Sequence, residues 1–449
     1  MRKLVLFLFF VAVSFSCSKH NLDSVSDDPG EGQEQEQEQG NNPSEKEDPS
    51  VEGSIPAIPV LAPSMDKAVD VVSLTPEQEV FQQSASLFAF KLMAKLYNGH
   101  SIVFSPLSIQ MALSMVLNGA VGETAQELFD VLCYEKSDID VLNSYAKSLL
   151  EQLSFVDTSI KMQMADCLIV NDHYLLLPEY QERMGTFYYA PVINLPFSDD
   201  QAVMDAVNAW SDKSTNGLIP NLLDNVSSSA VIYVLNSLYL KAGWSIPFDE
   251  EFQLIHNEPF YTEEGTINVD YMATGETLGY AEGDSFQLVA RPLGEKGVYM
   301  MAVLLPKQSI SIDTVLEECQ MKGWKDICAM RQSTFVHLML PKFQTDSSYE
   351  LADALQLLGM RRAFGEDAQF TEMISQGAPF ISRVCQKTKI AVNENGVEAA
   401  SASMVEMEVA DNGEDGPKPV LFHADHPFIY TIYEQTSGTI LFTGVFDGR

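Results

Sequence analysis

The sequence predicts an α+β domain built on large, mostly antiparallel sheets, and three observations predict it. Helix-period segments occur but are few; in one, Phe81, Ala85, Phe88, Leu92 and Leu96 form an apolar stripe. Strand-like runs are many: ADCLIVN, AVIYVLNSLYL, GTINVDYM, VYMMAVLLP, TFVHLMLPKF, KTKIAVNE, HPFIYTIYE and GTILFTGVF. They do not alternate regularly with helices, which argues against a parallel α/β sheet. From Ser73 onward no internal repeat and no second change of composition divides the chain, so one large domain is expected.

Taken in order, the chain begins MRKLVLFLFFVAVSFSCSKH, a basic pair (Arg2, Lys3) followed by an apolar run from Leu4 to Val13. That run is too short to span a bilayer as a helix and reads as an export signal over residues 1–16. Ser16 before Cys17 resembles the cleavage site of a bacterial lipoprotein, with Cys17 as the lipidated first mature residue; Ser14 and Phe15 depart from the usual pattern, and plain secretion is the alternative. Residues 17–72 are acidic, low in complexity and punctuated by Pro, as in EGQEQEQEQG and IPAIPVLAP. Too few large apolar residues are present to offset the entropy of ordering, so this stretch is expected to be a disordered tether. The domain is expected over 73–449.

Its first helix is announced by Thr75-Pro76-Glu77-Gln78: a Thr cap, Pro in the first turn and Gln three residues after the cap. A second helical run follows in SPLSIQMALSMVLNGAVG, and a later one in SYELADALQLLGM. The 46% hydrophobic content of 449 residues is enough for a sizeable core.

Composition excludes several functions. The net charge of -36 leaves no basic stripe to neutralise phosphates, so nucleic acid is not an expected partner. Cys133, Cys167, Cys319, Cys328 and Cys385 have neither metal-ligand spacing nor the density of a disulfide framework, and read as small hydrophobes. No HExxH, GxSxG, Walker or GxGxxG motif occurs. Ser64-Met65-Asp66-Lys67 matches SxxK but lies in the tether, where nothing could desolvate the Lys. His423 and His426 have a ligand-like spacing but no third ligand in view. No enzyme, cofactor or metal is expected.

One stretch does not fit an ordinary surface. From Val397, alternate residues are Val397, Ala399, Ser401, Ser403, Val405, Met407 and Val409, small or apolar, with Glu398, Glu406 and Glu408 on the other face. This is strand patterning. Yet the segment is rich in Ala and Ser and runs into the turn-forming, acidic DNGEDGP.

The segments together resemble the serpin family, in serpin order. The phrases are HSIVFSPLSIQMALSMVLNGAVGETAQEL, TNGLIPNLL, VLNSLYLKAGWSIPFD, VHLMLPKFQTDSSYELADALQLLGMRRAF, KTKIAVNENGVEAASAS and ADHPFIYTIYEQTSGTILFTGVF. The resemblance covers Ser73 to Arg449. It implies three β-sheets with eight or nine helices and an exposed reactive-centre loop. It also implies a monomeric inhibitor of serine, and secondarily cysteine, endopeptidases that acts as a suicide substrate: the loop is cleaved, an acyl-enzyme forms, and the freed loop inserts as a new strand. The odd strand is then written for that second state.

By resemblance, the hinge is Glu394, Gly396, Val397, Ala399, Ala400, Ser401 and Ala402, with Asn395 in place of the usual acid. Gly allows the dihedral change, and the small residues allow sliding between strands. Ser105, Ser108 and Asn236, with Gln386 where many members carry His, correspond to the shutter that governs sheet opening. Trp244, Lys342 and Glu394 correspond to the breach where the loop enters, with Lys342 and Glu394 expected to pair. The family's spacing from Glu394 puts the reactive bond at Ala410-Asp411, with Val409 and Met407 as alternatives. Small or apolar residues there suit elastase-, subtilisin- or chymotrypsin-like proteases. No Lys or Arg lies between Lys389 and Lys418, which disfavours trypsin-like ones, while Glu406 and Glu408 leave a Glu-specific protease open. The rival expectation is a non-inhibitory member serving as a surface binding protein. The leader implies an exported protein, either on one face of a bacterial outer membrane or extracellular.

Overall fold

The computed structural model describes residues 55, 57–64, 69–134, 138–228, 230–251, 253–377, 379–381, 383–397 and 419–449. Ile55–Arg449 forms one compact unit. Among the described residues the helices are α1 (Pro76–Leu96), α2 (Pro106–Leu117), α3 (Gly122–Val131), α4 (Ile139–Leu153), α5 (Pro178–Tyr188), α6 (Asp200–Ser214), α7 (Ile312–Lys322), α8 (Trp324–Ala329) and α9 (Ala352–Leu358). The strands begin with β1 (Ile102–Phe104), β2 (Lys161–Asn171), β3 (Val192–Leu195), β4 (Ile232–Gly243), β5 (Leu254–Thr262), β6 (Gly265–Glu282), β7 (Phe286–Leu293) and β8 (Tyr299–Pro306). They continue with β9 (Gln332–Pro341), β10 (Phe343–Glu350), β11 (Cys385–Asn393), β12 (Gly396–Val397), β13 (Val420–His423), β14 (Phe428–Glu434) and β15 (Ile440–Phe446).

One sheet runs in the order β10-β11-β12-β4-β2-β3. The other strands form a hydrogen-bonded network, β1-β15-β14-β8-β7-β6-β9-β13 with β5 on β6. The eighteen-residue β6 joins its two parts: Tyr271–Tyr280 pairs with β9, and Gly279–Glu282 pairs with β7. The fold is the α+β architecture expected from the sequence: among the described residues, a six-stranded sheet and a nine-stranded one in which β6 bridges β7 and β9.

Local chemistry accounts for the ends of α1 and α2. The Thr75 hydroxyl accepts from the Gln78 N–H, and the Gln78 carboxamide accepts from the Thr75 N–H, the reciprocal box that satisfies two orphan donors. Ser105 caps α2 through the Ser108 N–H. Eleven of the twelve α2 residues are buried, as a helix apolar on every side must be. The main core holds α2 together with Leu238 and Leu240 of β4 and Ile390 and Val392 of β11. A second core on the opposite face of the same sheet joins Ala165, Cys167 and Ile169 of β2 and Tyr233 and Leu235 of β4 to Val203, Val207 and Trp210 of α6.

The structure differs from the sequence reading in two places. Residues 17–72 were expected to be unstructured throughout, but Ile58 is buried in the second core and Val72 in the main one. Ile55, Ile58 and Val60 of IPAIPVLAP find a hydrophobic face supplied by α6 and β2, which composition alone does not reveal. The helix read in SYELADALQLLGM is shorter, Ala352–Leu358, because Ser348–Glu350 pair with Lys387–Cys385 as the end of β10. The cysteines at 133, 167, 319, 328 and 385 are free. The His426 ring is engaged by the Asp425 carboxylate and the Pro306 carbonyl, a structural role at a strand entry.

Candidate functional site

The site lies along the middle of the six-stranded sheet. β11 ends at Asn393, turns through Glu394 and Asn395, and returns as β12, whose two residues sit between β11 and β4. Val397 stands opposite Val392 on one side and Ala242 on the other, and it is only 1% exposed. Gly396 has φ +143°, and a Cβ there would lie 2.2 Å from the Ala242 carbonyl oxygen, so only Gly fits.

Below this point the sheet is split. Among the described residues no strand pairs with β4 on that side from Ile232 to Lys241, nor with β11 from Cys385 to Ala391. Three cavities follow the split. The uppermost, about 20 Å³, is bounded by Val397, Leu240 and Ala391. The next, about 30 Å³, is lined by Asn236, Leu238, Gln386 and Thr388, and the lowest, about 80 Å³, reaches Ile232 and Val384. Among the described residues these two facing edges leave ladder donors and acceptors without a strand partner.

The turn at the mouth of the split is tied down. Trp244 N–H donates to the Asn395 carbonyl at 3.0 Å, and Phe248 N–H to the Glu394 carbonyl at 2.9 Å. The Trp244 indole N–H donates to the Asn393 carbonyl at 2.8 Å. Lys342 Nζ lies 2.5 Å from Glu394 Oε2, the pair expected from the sequence. Burial opposes ionisation of Glu394, but the hydrogen bond from Lys342 and a backbone N–H prevail, and the carboxyl is held below its usual value.

Arg291 completes this corner. It is 4% exposed, lies 4.7 Å from the Trp244 ring centre and 4.0 Å from that of Phe248, and pairs with Glu276 at 2.7 Å. Burial lowers its pKa, against the opposing pull of Glu276. Sequence reasoning did not single out Arg291; a charge inside the apolar run FQLVARPL was the available signal.

Ser105, Ser108, Asn236 and Gln386, the four residues read as a shutter by resemblance, line one cavity but do not form one cluster of hydrogen bonds. Gln386 exchanges two bonds with the backbone of Ser105: its oxygen accepts from Ser105 N–H at 3.1 Å, and its amide donates to the Ser105 carbonyl at 3.0 Å. Asn236 instead donates to Asp166 Oδ1 on β2 at 2.7 Å. The β11 side is thus fastened to α2 and the β4 side to β2, and among the described residues no side-chain bond joins Gln386 to Asn236 across the split. Asp166 was missed in the sequence, although it is an acid in the otherwise buried run ADCLIVN. Ala399, Ala400, Ser401, Ala402, Met407, Val409, Ala410, Asp411 and Cys17 lie outside the described residues.

Among the described residues, then, the six-stranded sheet of this mixed fold is divided between β4 and β11, with the short β12 at the top of the division. A serpin (serine protease inhibitor) family model matches residues 83–447. A serpin-like protein of Thermococcus kodakarensis is 32% identical over 360 residues, covering 80% of this chain and 83% of its own. Human serpin B8 is 30% identical over 364 residues, covering 80% and 95%. The native state of the thermophilic serpin tengpin superposes with a TM-score of 0.75 at 24% identity, over 85% of this chain and 97% of its own, a likeness of fold. The chain belongs to the serpin family, whose members are generally serine protease inhibitors that bind target proteases.

Proposed function

We propose that this protein is a suicide-substrate inhibitor of serine endopeptidases, exported and held at a bacterial membrane surface by lipid on Cys17. The split between β4 and β11, with β12 at its mouth, is the observation that supports this reading most directly. In the proposed cycle the protease serine attacks the Ala410 carbonyl, and the Asp411 amine leaves as the new N-terminus. The protease stays bound as an ester on Ala410, and the freed segment enters the sheet before water can hydrolyse that ester.

The register favours a matching fit. Val397 faces Ala242 and Val392; six residues further along an antiparallel strand, Ser403 would face Asn236 (242 − 6) and Gln386 (392 − 6). Period-2 alternation would turn Ser403 to the same face as Val397, where a hydroxyl can meet the shutter amides. The same alternation keeps Glu398, Glu406 and Glu408 on the other face.

Incubation with elastase-, subtilisin-, chymotrypsin- and trypsin-like proteases tests the proposal. A complex surviving SDS with one of the first three is the expected result. Cleavage without such a complex for every enzyme would instead indicate a binding protein.

A further inference from the structure

Asp166 and Asn236 are cross-strand partners on the inner face of the sheet. Asp166 is 1% exposed, and its Oδ1 accepts from the Asn236 amide at 2.7 Å. Among the described residues, two buried oxygens of this pair find no hydrogen-bond partner: Asp166 Oδ2 and Asn236 Oδ1. A carboxylate cannot satisfy either, because both are acceptors. A neutral carboxylic acid can, since an acid and an amide present complementary donor and acceptor edges.

Among the described residues the surroundings supply no counter-charge. α2 carries no ionisable side chain from Pro106 to Leu117, and β3 carries none from Val192 to Leu195. On this face β11 presents Gln386, Thr388 and Ile390; by alternation Cys385, Lys387 and Lys389 lie on the other, as do Tyr233, Tyr239 and Lys241 of β4. The Cys167 thiol beside Asp166 packs into the second core. α5 contributes the Tyr188 phenol, which hydrogen-bonds Asn143 and Asn118. Burial pushes the Asp166 carboxyl up to about 7, against the opposing effect of its bond from Asn236.

We propose that Asp166 and Asn236 form a proton-operated latch on the split sheet. Protonated, Asp166 donates from Oδ2 to Asn236 Oδ1 while accepting at Oδ1, and two bonds hold β4 to β2. Ionised, it keeps one bond and sets two acceptor oxygens against each other. Asn236 is then released toward the cavity it shares with Ser105, Ser108 and Gln386, and the sheet opens more readily. The regulatory role rests on reading the split as a strand slot; the latch itself does not.

The test uses the intact chain and needs no protease. Because the native state holds a proton that the unfolded chain has lost, stability is full at low pH and falls as pH rises. Relative to Asp166→Asn, whose amide pair is insensitive to pH, the wild-type folding equilibrium should weaken roughly tenfold per unit between about pH 4 and about pH 7, then level off. Spontaneous conversion at 37 °C to a heat-stable form should be several-fold faster at about pH 8.5 than at about pH 6 in the wild type only. Parallel pH profiles in the two proteins would overturn the latch. Should Asp166→Asn fail to fold, 13C NMR of the wild-type aspartate carboxyls decides. One resonance titrating near neutrality supports the latch; all titrating in the ordinary carboxylate range refutes it.

Discussion

The Lys342 ammonium lies 2.5 Å from the Glu394 carboxylate at the turn where β11 passes into β12. This ion pair spans the point at which any further strand must enter the sheet, and it works alongside three hydrogen bonds made by Trp244 and Phe248. On the proposed reading, the residues that fix this turn also set how easily the loop is taken up.

Removing the charge should loosen that turn. Glu394→Gln is expected to cost about 1 kcal/mol, a small value because solvent reaches the pair. The pH dependence gives the sign. A carboxyl held below its usual 4.5 contributes stability that is present above that value and lost as pH falls through its folded pKa. Thermal unfolding should therefore separate wild type from Glu394→Gln at neutral pH and bring them together in acid.

Arg291 carries more weight. Arg291→Met takes the ionic partner from Glu276, whose side chain is largely shielded from water, and removes the cation from the Trp244 and Phe248 faces. A loss of about 3 kcal/mol or more is expected in denaturant unfolding. Glu276→Gln in the same background should recover part of it, because the orphaned charge is then gone.

Val397→Glu tests entry into the sheet. A carboxylate at a site 1% exposed resists insertion, so cleavage of the loop should persist while the SDS-stable complex falls at least about tenfold, the effect of only about 1.4 kcal/mol on the branching ratio. An unchanged complex would mean that the loop does not enter at Val397.

Nicking the loop of the intact protein tests the slot itself. About a dozen new ladder bonds with apolar burial give on the order of 10 kcal/mol. For a domain of this size that raises the melting midpoint by roughly 13 °C. Calorimetry before and after limited proteolysis reads it directly, and an unmoved midpoint would remove the basis for strand uptake.

Much of this was legible in the chain. The Thr75–Gln78 box, the buried α2 and the strands from ADCLIVN to GTILFTGVF follow from local rules of capping and periodicity. The pairing of Lys342 with Glu394 also came through, since both lie in recognisable phrases, whereas the close approach of Gly396 to Ala242 did not. Less legible was the length of α9, where pairing of Ser348–Glu350 with β11 overrode helix-compatible residues. The packing of Ile58 was invisible too, because its partners Val203, Val207 and Trp210 lie far along the chain.

By itself the sequence determined an α+β serpin domain and a segment from Val397 patterned for a strand, because capping, period-2 alternation and contiguous motifs act between near neighbours. Only the tertiary structure decided that Asp166 meets Asn236, that Arg291 lies between Glu276 and two aromatic rings, and that β4 and β11 stand apart below Val397. Those facts depend on register between strands distant in sequence and on burial, which sets what a charge costs once its neighbours have excluded water.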